Sequence, residues 1–201
     1  LMSRSQKEMA VKVILDFDTY MRPGESIDLK NKHLVRPVKG AGPQFRWHSI
    51  IVRDFDEKQP DKVGVFDNTI ALNSADRIWI GDVISTMMKG KDKEAKIFSF
   101  SMEEFRKQFG EVSKILGIPG LHPYQLRHGG AAHDLASKAR DHAQVKARGR
   151  WSTDQSVRRY TKTGKIQTLL GQLSKGSLEY CRWSQRNLKS VMSGRMQPKR
   201  L

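Results

Sequence analysis

Arginine, lysine and tyrosine crowd one stretch of this chain, His122 to Lys162, in which Arg127, Trp151 and Tyr160 stand among many further basic side chains. A guanidinium can grip two oxygens of a phosphate at once, which an ammonium cannot. A tyrosine hydroxyl, with an ordinary pKa of about 10, is a poor nucleophile unless nearby cations favour its phenolate. Side chains of these types could grip and attack a phosphodiester. Trp151 and Tyr160 are nine residues apart, and STDQSVRRY between them reads as a short helix with Ser152 or Thr153 as N-cap. Nine helical residues rise about 13.5 Å, so the two rings can converge only if Trp151 precedes the helix in a turn that folds back. Gly149-Arg150-Trp151 permits such a turn, glycine being tolerant of the angles required.

Three motifs in this order resemble the tyrosine recombinases (phage-integrase family): Y-Q-L-R-H-G-G-A at 124–131, R-G-R-W at 148–151 and V-R-R-Y at 157–160. The family pattern is H-x-x-R, then G-H or G-W, then a tyrosine about nine residues later. Arg22-Pro23-Gly24-Glu25 looks like the family's G-x-R-x-x-E segment. The resemblance implies Arg22 and Arg127 as phosphate clamps, with Glu25 as the buried partner that orients Arg22. It also implies Tyr160 as nucleophile, Trp151 as a packing and hydrogen-bonding residue, and a hairpin-turn lysine as general acid. Lys62 is the candidate for that lysine, with Lys58 the alternative. Tyr20, Tyr124 and Tyr180 are the rival tyrosines, but Tyr160 alone has the spacing to Trp151 and two arginines beside it. One departure stands out: Tyr124 occupies the position where the family usually has His. Tyrosine can donate a hydrogen bond to phosphate but is a weak proton acceptor; His122 and His128 are the nearby candidates for a base. His128, Arg148, Arg150, Arg158 and Arg159 read as DNA contacts, each neutralised phosphate adding about 0.9 to the salt slope of log K.

Composition agrees with a polyanionic partner. The chain has 201 residues, 37 Lys or Arg against 21 Asp or Glu, and a formal net charge of +16. Nucleic acid fits this excess better than a membrane, since no long apolar run is present. Four Trp and eight Phe, with amphipathic segments, separate the chain from a basic tail or a histone-like protein. A single cysteine, Cys181, precludes an internal disulfide and suggests a reducing compartment. No signal peptide is visible, so the expected location is intracellular and DNA-associated, the nucleus if the source is eukaryotic. Six histidines lack metal-ligand spacing, and neither a metal nor another cofactor is expected.

The elements that must position these residues are mostly helical. Residues 4–18 carry a stripe of Met9, Val13, Ile14 and Phe17. Pro23-Gly24 opens a second helix through Leu29. HLVRPV, WHSIIVRDF and NTIALN read as about three antiparallel strands, broken by Lys39 to Pro43 and by Gln59 to Lys62. Residues 76–90 predict an apolar helix with Asp76 as N-cap, whose Met side chains belong to a core. Ser101 and Glu104 form a capping-box signature before an amphipathic helix of Phe105, Phe109, Val112 and Leu116, which Gly117 stops. A helix follows from Tyr124 toward Lys138, with Ala131 and Ala132 allowing close packing. Residues 165–192 predict further helix, broken at Gly171 or Gly176, and the tail GRMQPKRL is basic and expected to be disordered.

The expected fold is therefore α+β, mostly α: a tyrosine-recombinase-like catalytic domain over residues 1–170 with a small antiparallel sheet, then a C-terminal helix and basic tail over 171–201. Because the chain starts at Leu1, it is expected to be a fragment lacking the family's N-terminal DNA-clamping domain. The resemblance implies a site-specific recombinase or integrase, of a mobile element, acting on double-stranded DNA as a dimer or tetramer. Two alternatives stay open: a type IB topoisomerase-like nicking-closing enzyme, and a non-catalytic DNA-binding relic. The leucines at 169, 170 and 173 could dock on a neighbouring subunit or pack on their own domain.

Overall fold

A computed structural model describes residues 3–52, 69–158, 167–168 and 170–199. Lys58, Lys62, Arg159 and Tyr160 lie outside the described residues. The fold is α+β and mostly helical, with one three-stranded antiparallel sheet.

Helix α1 (Arg4–Thr19) is the centre. Ser3 caps it, its Oγ accepting from the Gln6 amide while Gln6 returns a bond to the Ser3 amide. Only part of the expected stripe is buried: Met9 and Ile14 lie in the core, but the buried surface extends well beyond them. Val11 and Leu15 are fully buried, Val13 and Phe17 only half so, and Glu8, Lys12, Asp16 and Asp18 are buried with them. The reason is that α1 is enclosed on several sides, by α2 (Pro23–Ile27), α3 (Ile80–Met87) and α5 (Tyr124–Ala136). A helix surrounded in this way shows no single apolar stripe.

Strands β1 (Leu34–Val35), β2 (Ser49–Ile51) and β3 (Thr69–Ala71) pair in that order, with Leu34 opposite Ile50 and Ile50 opposite Ile70. Their inward residues join Val11, Leu15, Trp79, Ile80, Ile84, Met88 and Phe98 in the main core. Asp76 does not cap α3. Residues 75–79 form turns, the helix begins after Trp79, and the Trp79 indole donates to the Asp76 carbonyl at 2.8 Å. The Ser101–Glu104 capping box does open α4 (Met102–Ile115), but only Phe105 of its apolar series is fully buried; Val112 is 53% exposed.

A second cluster of Tyr20, Ala131, Val145 and Val157 joins α5 to α6 (His142–Gly149) and α7 (Asp154–Arg158). Here α1 and α5 come unusually close: a Cβ on Gly130 would lie 1.8 Å from the Phe17 carbonyl oxygen and 2.9 Å from the Tyr20 ring. Gly130→Ala is therefore expected to cost about 1–3 kcal/mol by forcing the helices apart, read as a lower urea midpoint with unchanged slope. Helix α8 (Lys175–Met192) starts at the Ser174 cap, so the break falls before Gly176, which sits in the first turn. Met192 enters the main core and Leu188 packs against it, whereas Leu170 remains 50% exposed. The tail begins folded, with the Arg195 amide donating to the Ser190 carbonyl at 2.8 Å.

Candidate active site

Arg22 stands at the N-cap of α2, where Pro23 in the first turn presets the helical angle. Glu25, one turn on, accepts from the Arg22 backbone amide at 2.8 Å and from its Nη1 at 2.7 Å. A second arginine shares that carboxylate: Arg150 donates through Nη2 to Glu25 Oε2. Glu25 thus bridges Arg22 and Arg150, and its acidity reflects them. Burial opposes ionisation, but Arg150, then the Arg22 amide and side chain, hold its carboxyl below the ordinary range.

Arg150 reaches Glu25 from a strained backbone. Its φ of 53° lies in the left-handed region, where glycine is usual. The Arg150 amide donates to the Ala147 carbonyl at 3.0 Å and the Trp151 amide to the Lys146 carbonyl at 3.1 Å, a Schellman closure of α6. The turn that folds Trp151 back is therefore made by Arg150, not by Gly149, which ends the helix. Glycine is needed at 149 for another reason: a Cβ there would lie 2.0 Å from the Trp151 ring. Trp151 precedes α7, stacks on Tyr20 at 6.1 Å and lies under the Arg127 guanidinium, 4.5 Å from ring centre to Cζ.

Arg127 is 1% exposed. It donates through Nη1 to the Tyr20 carbonyl and through Nη2 to the Gly149 carbonyl at 2.6 Å. Its buried Nε makes no hydrogen bond with any described residue. Burial, then repulsion from Arg22 and Arg150, brings its pKa down to about 10, against the favourable influence of Tyr124 and Glu25. These groups form one electrostatic cluster, in which Arg22 and Arg150 bond to the Glu25 carboxylate while Arg127 bonds to backbone carbonyls beside it. Its open side carries Arg22, with a side chain 42% exposed, and Tyr124, 41% exposed with His128 against it at 4.9 Å between ring centres. Burial opposes protonation of Arg22, but Glu25 and Tyr124 more than offset this and raise its pKa.

Arg148 behaves differently from its neighbour. Expected at a phosphate, it turns inward, donating to the Asp18 carbonyl at 2.8 Å, Asp18 Oδ2 at 3.1 Å and the Ala71 carbonyl at 2.9 Å. Arg158 is exposed at the end of α7. Two acids that sequence reasoning passed over organise the floor. Asp18 takes Arg148 and Arg77, and Asp134 takes Arg140, His133 and the Tyr20 hydroxyl. Nothing in A-A-H-D distinguished Asp134 from an ordinary helix residue, because the Tyr20 hydroxyl it accepts from lies 114 residues away in the chain. The buried Tyr20 hydroxyl, committed to Asp134, has its pKa pushed well up by burial and by that carboxylate. It is thereby unsuited to act as a nucleophile.

Among the described residues no group of His, Cys, Asp and Glu side chains is placed to hold a metal ion, and no helix is long and apolar enough to cross a membrane. No family model, curated protein or solved structure matches the chain.

Proposed function

We propose that this chain cuts and rejoins double-stranded DNA through a covalent 3′-phosphotyrosine, as the tyrosine recombinases do. The observation that carries the reading is the gathering of three arginines beside one carboxylate: Arg22 and Arg150 bond to Glu25, and Arg127 lies within electrostatic reach of them. Three guanidiniums against one carboxylate leave two positive charges in excess, and a phosphodiester would balance them. Arg22 and Tyr124, on the open side, would donate to its non-bridging oxygens. Arg127, stacked on Trp151, would hold the positive field beneath them. The Tyr160 hydroxyl would lose its proton to His122 or His128, the candidate bases, its oxygen would attack phosphorus, the bond to the 5′-oxygen would break, and Lys62 would give that oxygen its proton. The reverse attack by a 5′-hydroxyl restores the phosphodiester and frees the tyrosine, so rejoining requires neither ATP nor a metal. Exchange of strands in a dimer or tetramer, as in an integrase of a mobile element, or nicking and closing by a single protomer would use the same chemistry.

The test is a suicide substrate: a pool of nicked duplexes, labelled on the strand to be cut, scored for a protein–DNA adduct that survives denaturation. An adduct is expected with the wild type and none with Tyr160→Phe. An adduct that persists in Tyr160→Phe moves the nucleophile elsewhere. A second reading, DNA binding without chemistry, is favoured by the near-complete burial of Arg127 and its engagement with two backbone carbonyls. Tight, salt-sensitive binding with no adduct from any duplex in the pool would establish that reading instead.

A further inference from the structure

The loop between β1 and β2 stands apart from the arginine cluster and has its own chemistry. From Leu29 to Val52 the sequence carries Lys30, Lys32, Arg36, Lys39 and Arg46 and no Asp or Glu. Lys30 and Lys32 pair with Glu94 from across the fold. Among the described residues Arg36 bonds only to neutral groups, Ser85 Oγ at 3.3 Å and Asn31 Oδ1 at 3.4 Å. Among the described residues neither Lys39 nor Arg46 has a carboxylate partner, and both are exposed. At the base of the loop Asp82 lies 3.8 Å from His48. Beside these cations sit apolar side chains that a solvated turn does not need: Phe45 is 50% exposed and Val38 56% exposed.

The loop is held in shape by its own bonds. The Val38 amide donates to the Phe45 carbonyl at 3.0 Å and the Phe45 amide to the Gly42 carbonyl at 3.1 Å, with Gly40 and Gly42 at φ of 82° and 114°. Arg46 is laid over the Trp47 ring, 4.3 Å from its centre. A preformed turn loses little freedom when it binds, which is where an exposed aromatic ring gains affinity.

We propose that this loop is a second DNA-contacting element, in which Lys39 and Arg46 each neutralise a phosphate of a duplex and Phe45 makes an apolar contact at the groove between them. Charge complementarity selects the partner: an acid-free basic turn fits a polyanion. The aromatic tip selects a duplex whose base steps can receive a ring, as apolar wedges of groove-binding proteins do. The inference rests on DNA being the partner, and is independent of the chemistry assigned to Tyr160.

The test measures binding of the full chain to a mixed-sequence duplex over a range of salt concentrations. Lys39→Ala/Arg46→Ala is expected to reduce the slope of log K against log salt by about 1.8, the release from two phosphates. Arg46→Lys should keep the slope, since the charge is retained. Phe45→Ala is expected to weaken binding about five- to tenfold at unchanged slope, in the range of one lost base contact. An unchanged slope in the double variant, with wild-type binding intact, overturns the loop's role and leaves the proposed function standing. Weakened binding by Phe45→Ala to single strands only, with duplex binding intact, overturns it too. Absence of duplex binding by the wild type overturns both. A thermal melt checks that each exposed substitution leaves the fold intact.

Discussion

Replacing Lys12 by methionine is expected to destabilise the fold by about 3–5 kcal/mol, the cost of leaving a buried charge without its partner. Lys12 and Asp16 are both fully buried, one turn apart on α1, with Nζ 3.0 Å from Asp16 Oδ2. The same ammonium donates to the Pro23 carbonyl at 3.1 Å and to Ser26 Oγ, and lies over the Phe105 ring at 4.8 Å. Asp16 Oδ1 has no hydrogen-bond partner among the described residues, so Lys12 is its principal compensation. Burial pushes the Asp16 carboxyl up to about 6, against the pull of Lys12 and Ser26. A carboxyl that titrates higher in the folded state contributes stability fully below its unfolded pKa. That contribution falls as pH rises through the window from about 4 to about 6. Without the ammonium the folded pKa should climb further, so Lys12→Met should be least stable relative to wild type above neutrality and recover in mild acid. Lys12→Met/Asp16→Leu should regain most of the loss, because a well-packed apolar pair needs no compensation. Urea unfolding at mildly acidic and mildly alkaline pH measures all of this. A single variant as stable as the wild type at both would mean that the pair is solvated.

Substituting Arg22 by alanine is expected to slow adduct formation by about 10²–10³, the usual effect of removing one donor aimed at developing negative charge. Its effect on stability should stay below about 1 kcal/mol, because the Arg22–Glu25 pair is partly exposed and screened. That separation makes Arg22 more diagnostic than Arg127. Arg127→Ala would also strip the buried Tyr20 and Gly149 carbonyls of their donors, so its loss of activity could be structural. Lys12 connects the two predictions, since its bonds to Pro23 and Ser26 hold α2 against α1 and so place Arg22. Unchanged adduct rates in Arg22→Ala would remove the open side of the cluster from the chemistry.

Elements with local signals were the legible ones. The Ser101–Glu104 box, Pro23 at the start of α2 and the alternation around Ile50 and Ile70 each act through residues a few positions apart, and each appears where the sequence indicated. Errors fell where a competing bond or a distant segment intervened. Asp76 looks like a cap, but its carbonyl instead receives the Trp79 indole and the helix starts a turn later. The buried surface of α1 extends beyond Met9 and Ile14 of its apolar stripe because charged residues there meet partners from α2, α6 and the segment before α4.

The sequence by itself determined the charge of +16, the entries of α1, α2, α4 and α5, the strands and the stretch in which the reactive residue types collect. Which of its arginines face inward, and onto which acid, only the tertiary structure decided. Arg148 and Arg150 are two residues apart in R-G-R-W and chemically identical, yet one closes on Asp18, 130 residues away, and the other on Glu25, 125 residues away. A guanidinium can leave water only where a carboxylate or carbonyl replaces its hydration. Those replacements come from α1, α2 and β3, so the assignment of each arginine is a property of how these elements pack.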